Sequence, residues 1–555
     1  MVNIPARKKT AGLMPGRGLA CLCLVAVALA HAEGTPQDAA VAETARPEAA
    51  TQPAFAIMEY RIEGNTVLPA QTVERVVYPH LGEGRTIADV EQARKSLEAA
   101  YHKAGYSTVF VDIPEQDVVN GVVRLRVTEG RVGRVRVTGS RYYSLGRIRA
   151  QVPALAPGAV PYLPDVQQQM GAVNRAAADR QVTPVFRAGR TPGTVDVELK
   201  VRDESPLHAS LEANNRYSAN TTHTRASAQL RYDNLWQREH SLSLQYQTAP
   251  ENTDEVRVAS ATYLFRADDS DHLTALYAVH SRSNVAVVGD ISVIGTGDIV
   301  GVRRIVPLPP GGRLFHSLSL GADIKDFDES ILQGADDVQT PIRYVPLSLS
   351  YNGGLAGEKV ANQFSAALNF SLRSLSDKKV DCLGQEVDQF ECKRYLARPN
   401  YLYLRADYRR TQKLPHGMSW LARFGGQLAG RPLISNEQYS VGGADSVRGY
   451  LESERLGDDG WQAGLEWRSD SFAGEMSPGL SELRFLIFTE AAALNINEAL
   501  PDQPTRYRLA GSGAGLRFGA GKYLKGEADW ARAHKDGAVT RKGEDRLHFR
   551  LEAGF

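Results

Sequence analysis

The sequence predicts two small α+β domains followed by an all-β transmembrane barrel of about 16 antiparallel strands. Three observations carry this reading. Arg7, Lys8, Lys9 and Arg17 precede an apolar run from Leu19 to Ala30 and the small residues of Ala30-His31-Ala32, the pattern of a secretory signal peptide. From Ser205 onward, apolar and polar side chains alternate with period two, as strands with two different faces do. The chain also stops on such a strand, with Leu547, Phe549, Leu551, Ala553 and Phe555 alternating to the last residue.

Composition narrows the class. The chain has 555 residues, 43% of them hydrophobic, with 50 Gly and 22 Tyr, and a mean hydropathy of -0.31. Its formal charge of +1 becomes -3 once the four cations of residues 1–32 are removed, so nothing suggests a nucleic-acid partner. The apolar run is shorter than the roughly 20 residues that a membrane-spanning helix needs, which argues for cleavage rather than anchoring. Cys21 and Cys23 lie in that run with no small-residue lipidation motif before them. Residues 1–32 are therefore expected as a signal peptide. Residues 33–53, rich in Ala, Pro, Thr and Glu without an apolar period, are expected as a linker.

Residues 54–129 read as the first small domain. Met58, Tyr60 and Ile62 alternate as a strand before a Gly64-Asn65 turn. Thr86 and Asp89 resemble a capping box, and Val90, Ala93, Leu97 and Tyr101 share one helical face up to Gly105. Strands are expected over 108–113 and 122–127. Residues 130–204 repeat the order. Val135 and Val137 open a strand; Pro164 suits a first helical turn; Val166, Met170 and Val173 form the apolar face. Strands follow around 184–186 and along Val195, Val197, Leu199 and Val201. Two copies of one supersecondary order make a tandem repeat. Sheets of this kind expose edges to which an extended segment of another chain can add.

Residues 205–555 alternate throughout. Leu242, Leu244 and Tyr246 interleave with Ser241, Ser243 and Gln245, and Leu402, Leu404 and Ala406 with Tyr403, Arg405 and Asp407. Periodicity alone leaves open a soluble sandwich, whose polar face is outside, or a barrel, whose apolar face meets lipid. The terminal strand with its C-terminal aromatic resembles the closing-strand signal of bacterial outer-membrane barrels, carried here by Phe549, Leu551 and Phe555, and favours the barrel. Turns at 233–238 and 267–271 are then short and periplasmic; loops at 326–340, 374–397 and 428–457 are long and external. Cys382 and Cys392 lie in the second of these loops, the only cysteines left after signal cleavage. An oxidising compartment makes them a disulfide candidate; no His stands near enough to suggest a metal.

The longest loop holds S-V-G-G-A-D-S-V-R-G-Y, Ser440 to Tyr450, a tight-turning stretch that carries one Arg. Its Val447, Arg448, Gly449 and Tyr450 resemble the signature of the superfamily that contains barrel-assembly proteins and two-partner secretion transporters. Two POTRA-like units, about 16 strands and this loop between the eleventh and twelfth make the chain similar to the haemolysin secretion/activation family of two-partner secretion transporters. The resemblance implies that loop 428–457 folds into the lumen. It also implies that Arg448 meets an acidic residue two strands on, within F-x-D-x-G. The matching stretch is Phe488-Thr489-Glu490-Ala491-Ala492, with Glu for Asp and Ala for the final Gly. Glu490 keeps the charge, and alternation turns it inward while Phe485 and Ile487 face lipid.

The resemblance further implies a bacterial outer-membrane location with periplasmic POTRA domains. A haemolysin- or filamentous-haemagglutinin-like exoprotein would be the partner, outer-membrane lipid would surround the barrel, and barrel-assembly machinery would act during biogenesis. Relatives often thread an N-terminal helix through the barrel; the short, Pro-interrupted linker predicts none here. No phosphate-binding, zinc-protease or nucleophile-elbow motif occurs, and Gly511-Ser512-Gly513 is read as the start of a strand. Neither enzyme activity, cofactor nor metal is expected. An assembly factor for outer-membrane proteins and a passive solute channel remain the alternatives.

Overall fold

The computed structural model describes residues 53–555 apart from 268–269, 284, 289–290, 310, 329, 334–335, 377, 383 and 477–478. The expected signal peptide, all but the last residue of the expected linker, and with them the absence of a lumenal helix, fall outside the described residues.

In the first small unit, Glu59–Glu63 runs parallel to Val122–Glu129, which pairs antiparallel with Val109–Asp112. Helices Ala70–Val77 and Ile87–Lys103 cover one face, with Val90, Ala93, Leu97 and Tyr101 buried against the sheet. The Thr86 backbone N–H donates to the Asp89 carboxylate at 2.8 Å and fixes the start of the long helix. The sequence misjudged two details. Met58 is 68% exposed and precedes the strand, and Phe55–Ile57 forms a separate ribbon with Gly82–Arg85.

The second unit repeats the sheet, with Arg131–Thr138 parallel to Thr194–Asp203 and Arg180–Ala188 antiparallel to it. Val166, Met170 and Val173 of helix Leu163–Ala176 fill its core. One turn device recurs in both. Gly64 and Gly139 adopt φ of 90° and 89° where a Cβ would overlap the carbonyl oxygens of Val127 and Val201. A carboxylate at the end of the third strand then gathers the backbone N–H groups after the glycine. Glu129 accepts from Thr66 and Val67 at 2.6 and 3.0 Å, and Asp203 accepts from Arg141 and Tyr142, both at 2.9 Å.

The second unit sits on the first periplasmic turn of the barrel. Arg180 is buried and reaches Glu239 at 2.6 Å, Asn234 Nδ2 donates to the Tyr142 carbonyl at 3.0 Å, and His208 lies 2.9 Å from Asp179 and 3.4 Å from Asp233.

The barrel is closed and has sixteen antiparallel strands, the eighth being interrupted so that Ile342–Tyr344 and Pro346–Ala356 both pair with Leu314–Phe327. The last strand, Asp545–Gly554, pairs with the first, Leu207–Asn214, from Arg550↔Asn214 to Gly554↔Ser210. Phe555 adds two backbone bonds to Ala209 at 2.8 and 3.4 Å. Opposed residues in an antiparallel pair share a face, so the register separates the walls. Leu244, Leu320, Ile487, Trp530, Phe549 and Leu551 point outward, each well exposed to the bilayer side, while the opposite parity lines the lumen.

Candidate functional site

Loop 430–458, between the eleventh strand, Ser419–Ala429, and the twelfth, Asp459–Arg468, folds into the barrel. It starts as a ribbon of Tyr439–Val441 against Arg455–Gly457. It then turns at Gly442 and Gly443, with φ of 109° and 102°. A Cβ on Gly442 would stand 2.5 Å from that of Glu454, a spacing that only glycine permits.

The turn delivers Arg448, 2% exposed in its side chain. Its Nε lies 3.1 and 3.2 Å from the two Glu490 oxygens and its Nη2 2.6 Å from Oε1. The Arg448 backbone N–H also donates to Glu490 Oε2, at 2.8 Å. Nη2 further donates to Glu466 at 2.8 Å, and Nη1 to Asp529 at 2.9 Å. The guanidinium carbon stands 3.3 Å from the centre of the Phe488 ring, a cation–π contact. Arg423 reaches Glu490, Arg468 reaches Glu466 at 2.6 Å, and Arg517 reaches Asp529 at 2.5 Å. Four guanidinium groups therefore share three carboxylates, which is how ionised groups remain stable when removed from bulk water.

The neighbouring residues complete the seat. Val447 and Tyr450 are fully buried with Ala492, Leu494, Leu509 and Ala533. Gly449 N–H donates to His548 Nε2 at 3.0 Å, and the Tyr450 hydroxyl donates to the Lys535 carbonyl at 2.8 Å. Gly511-Ser512-Gly513 is not the start of a strand, as the sequence suggested, but the middle of Arg506–Ala520. The register turns Gly511, Gly513 and Gly515 inward, opposite Glu490, Phe488 and Leu486. A Cβ on Gly511 would overlap the Arg448 carbonyl oxygen, and one on Gly513 would stand 2.7 Å from the Phe488 ring. These glycines make the groove in which the loop lies.

Sequence reasoning named Val447, Arg448, Gly449, Tyr450, Phe488 and Glu490, and the fold brings all six together. It missed Glu466, Asp529, Arg423, Arg468, Arg517 and His548. Inward parity along their strands, once the register is known, is the signal that picks them out.

A second set of contacts closes the outer end of the lumen. Cys382 and Cys392 are joined by a disulfide in the loop between strands nine and ten. Its short helix Gln389–Lys393 places Phe390 among Phe327, Tyr344, Tyr401, Leu433 and Ile434. Buried Glu437 lies 2.6 Å from Lys325 and from the Tyr344 hydroxyl, and 2.7 Å from that of Tyr403. Fully buried Asp458 accepts from Arg394 at 2.5 and 2.7 Å and from the Leu433 and Asn497 backbone at 2.9 and 2.8 Å. This cap ties the loop between strands eleven and twelve to those that follow strands nine and thirteen.

Two paired α+β modules ahead of a sixteen-stranded barrel with an inward loop define an outer-membrane protein with periplasmic POTRA domains. Residues 55–130 match the profile of the POTRA domain, ShlB-type, and residues 347–518 that of the haemolysin secretion/activation protein ShlB/FhaC/HecB. The outer membrane transporter CdiB of Dickeya dadantii is 22% identical over 435 residues, which are 75% of this chain and 73% of that protein. CdiB from Escherichia coli superposes with a TM-score of 0.60 at 18% identity, over 92% of this chain and 93% of the other. CdiB from Acinetobacter baumannii gives 0.56 at 16% identity, over 91% and 90%. Over residues 347–518 the chain is thus similar to the haemolysin secretion/activation proteins, and over most of its length to the outer membrane transporter CdiB.

Proposed function

We propose that this chain exports one dedicated exoprotein, of the haemolysin-like or filamentous-haemagglutinin-like β-helical kind, through its barrel. The POTRA sheets receive the unfolded passenger in the periplasm by strand addition at an edge, and folding outside the cell opposes its return. Lipid surrounds the barrel, and the barrel-assembly machinery inserts it, with Phe549, Leu551 and Phe555 as the closing-strand signal.

The observation that carries the reading is the clasp of Arg448 by Glu490, Glu466 and Asp529. An ion network on a polar lumen wall is a tether that holds the loop in one position yet exchanges with water and with other charges. Arg448 and Glu490 set the transport-competent position of the loop. Quantitative proteomics of medium and outer membrane, with and without this protein, tests the function. Loss of one large secreted protein with other barrels constant is the expected result. A joint fall of many outer-membrane barrels would make the chain an assembly factor, and no change in either fraction would leave a passive channel.

A further inference from the structure

The lipid-facing side of the barrel carries two cations where strand fourteen, Arg506–Ala520, begins. Opposed residues share a face, and one outward row crosses five strands: Ala406, Gly426, Trp461, Ala493 and Arg508, each paired with the next. Arg506, opposite Asn495 of strand thirteen, Leu480–Asn495, points the same way. Both arginines are exposed, and neither has a hydrogen-bond or ion-pair partner among the described residues. They stand at the external end of the wall, because the loop just before them supplies the Asn497 backbone to the cap. Below them the outward residues of strand thirteen, Phe485, Ile487, Ala491 and Ala493, are apolar apart from Thr489. That stretch matches the roughly 9–11 residues with which a strand crosses a bilayer. Arg506 and Arg508 therefore meet the headgroup layer of the outer leaflet, where a cation on a barrel's outer face costs little.

Beside the two arginines the same face is hollow. Phe424, Leu428 and Trp461 stand out from it, the small residues Ala406, Gly426 and Ala493 lie between them, and the depression of about 580 Å³ counts Arg506 and Arg508 in its lining. We propose that this hollow binds lipopolysaccharide, the phosphorylated and multiply acylated glycolipid of the outer leaflet, with an acyl chain in the hollow and a lipid A phosphate on Arg506 and Arg508. Residues two apart on one strand are separated by about 7 Å along it, so both guanidinium groups reach one phosphate, and each can give it two parallel N–H donors. A phospholipid also carries phosphate, but in this membrane it fills the periplasmic leaflet, which these arginines do not reach. The site lies back to back with the latch. Strands twelve and thirteen turn Trp461 and Ala493 to the lipid and Glu466 and Glu490 to Arg448. A bound glycolipid thus braces the wall that holds loop 430–458.

The test titrates the full-length protein, folded and delipidated in detergent, with three lipids: lipid A carrying both phosphates, the same lipid A without phosphate, and phosphatidylglycerol. Native mass spectrometry counts the bound lipid, using only barrel with folded, heat-modifiable migration. The diphosphorylated lipid A is expected to bind at least tenfold more tightly than either of the others. Arg506→Gln together with Arg508→Gln is expected to abolish that preference. Ala493→Phe, which fills the hollow and keeps both cations, is expected to weaken lipid A binding severalfold. Phosphatidylglycerol bound as tightly as lipid A, a preference unchanged in the double variant, or lipid A binding unchanged in Ala493→Phe each overturns the proposal.

Discussion

The latch at Arg448 and the cap around Phe390 hold the same long loop by opposite physics. The latch is a network of four Arg and three carboxylates on strand walls, with the loop contributing one guanidinium. The cap is an apolar cluster pinned by a disulfide, with Glu437 and Asp458 as buried polar hubs. An ion network is directional and fails sharply when one member is removed. Apolar packing is graded and yields by area. The difference implies that the latch sets position and the cap sets closure.

The sharpest test is Arg448→Ala. It leaves Glu490, Glu466 and Asp529 without their central cation, and breaking such buried sets costs about 3–5 kcal/mol. Export, measured as passenger in the medium, is expected to fall more than tenfold while heat-modifiable migration shows a folded barrel. Unchanged export, or a barrel that fails to assemble, would sink the latch. Gly511→Ala comes next: its new methyl overlaps the Arg448 carbonyl oxygen and forces the loop out of its groove. Export is expected to drop severalfold, whereas Gly474→Ala, in open space, should leave it unchanged.

The cap is expected to respond differently. Cys382→Ser removes the staple across a sequence separation of 10, which for a short loop is worth about 2–3 kcal/mol. Planar-bilayer recordings should show more frequent spontaneous openings with export retained; loss of export equal to that of Arg448→Ala would erase the distinction between the two regions. The smallest effect is acid. Burial alone would raise the Glu437 carboxyl, but Lys325 and the Tyr344 and Tyr403 hydroxyls outweigh it and hold it below its ordinary value of 4.5. A depressed folded pKa contributes stability above the unfolded value and loses it as pH falls through the folded one. Openings should therefore increase only as pH falls below that ordinary value, and Glu437→Gln should remove that step. A rise between pH 6 and 5 would point to another group.

Much of this was legible in the chain. Period-two alternation and the terminal Phe555 marked the barrel, and the helical face of Val90, Ala93, Leu97 and Tyr101 marked the first small domain, because local backbone geometry imposes those spacings directly. Arg448 and Glu490 were legible as a motif. Glu466 and Asp529 were not, since nothing in W-R-S or A-D-W surroundings distinguishes a ligand of Arg448 from any other inward acid. Gly511 and Gly513 were read as the start of a strand rather than its middle for the same reason: nothing local shows that a distant loop needs the space they leave.

Sequence alone therefore determined the order of domains, the alternation of the strands and the identity of Arg448 as the motif cation. Those properties depend on residues close together along the chain. Which carboxylates receive that cation and which loops build the cap were decided only by tertiary structure. Barrel closure sets the register between distant strands, and that register places residues 42 and 81 positions away from Arg448 within hydrogen-bonding reach of it.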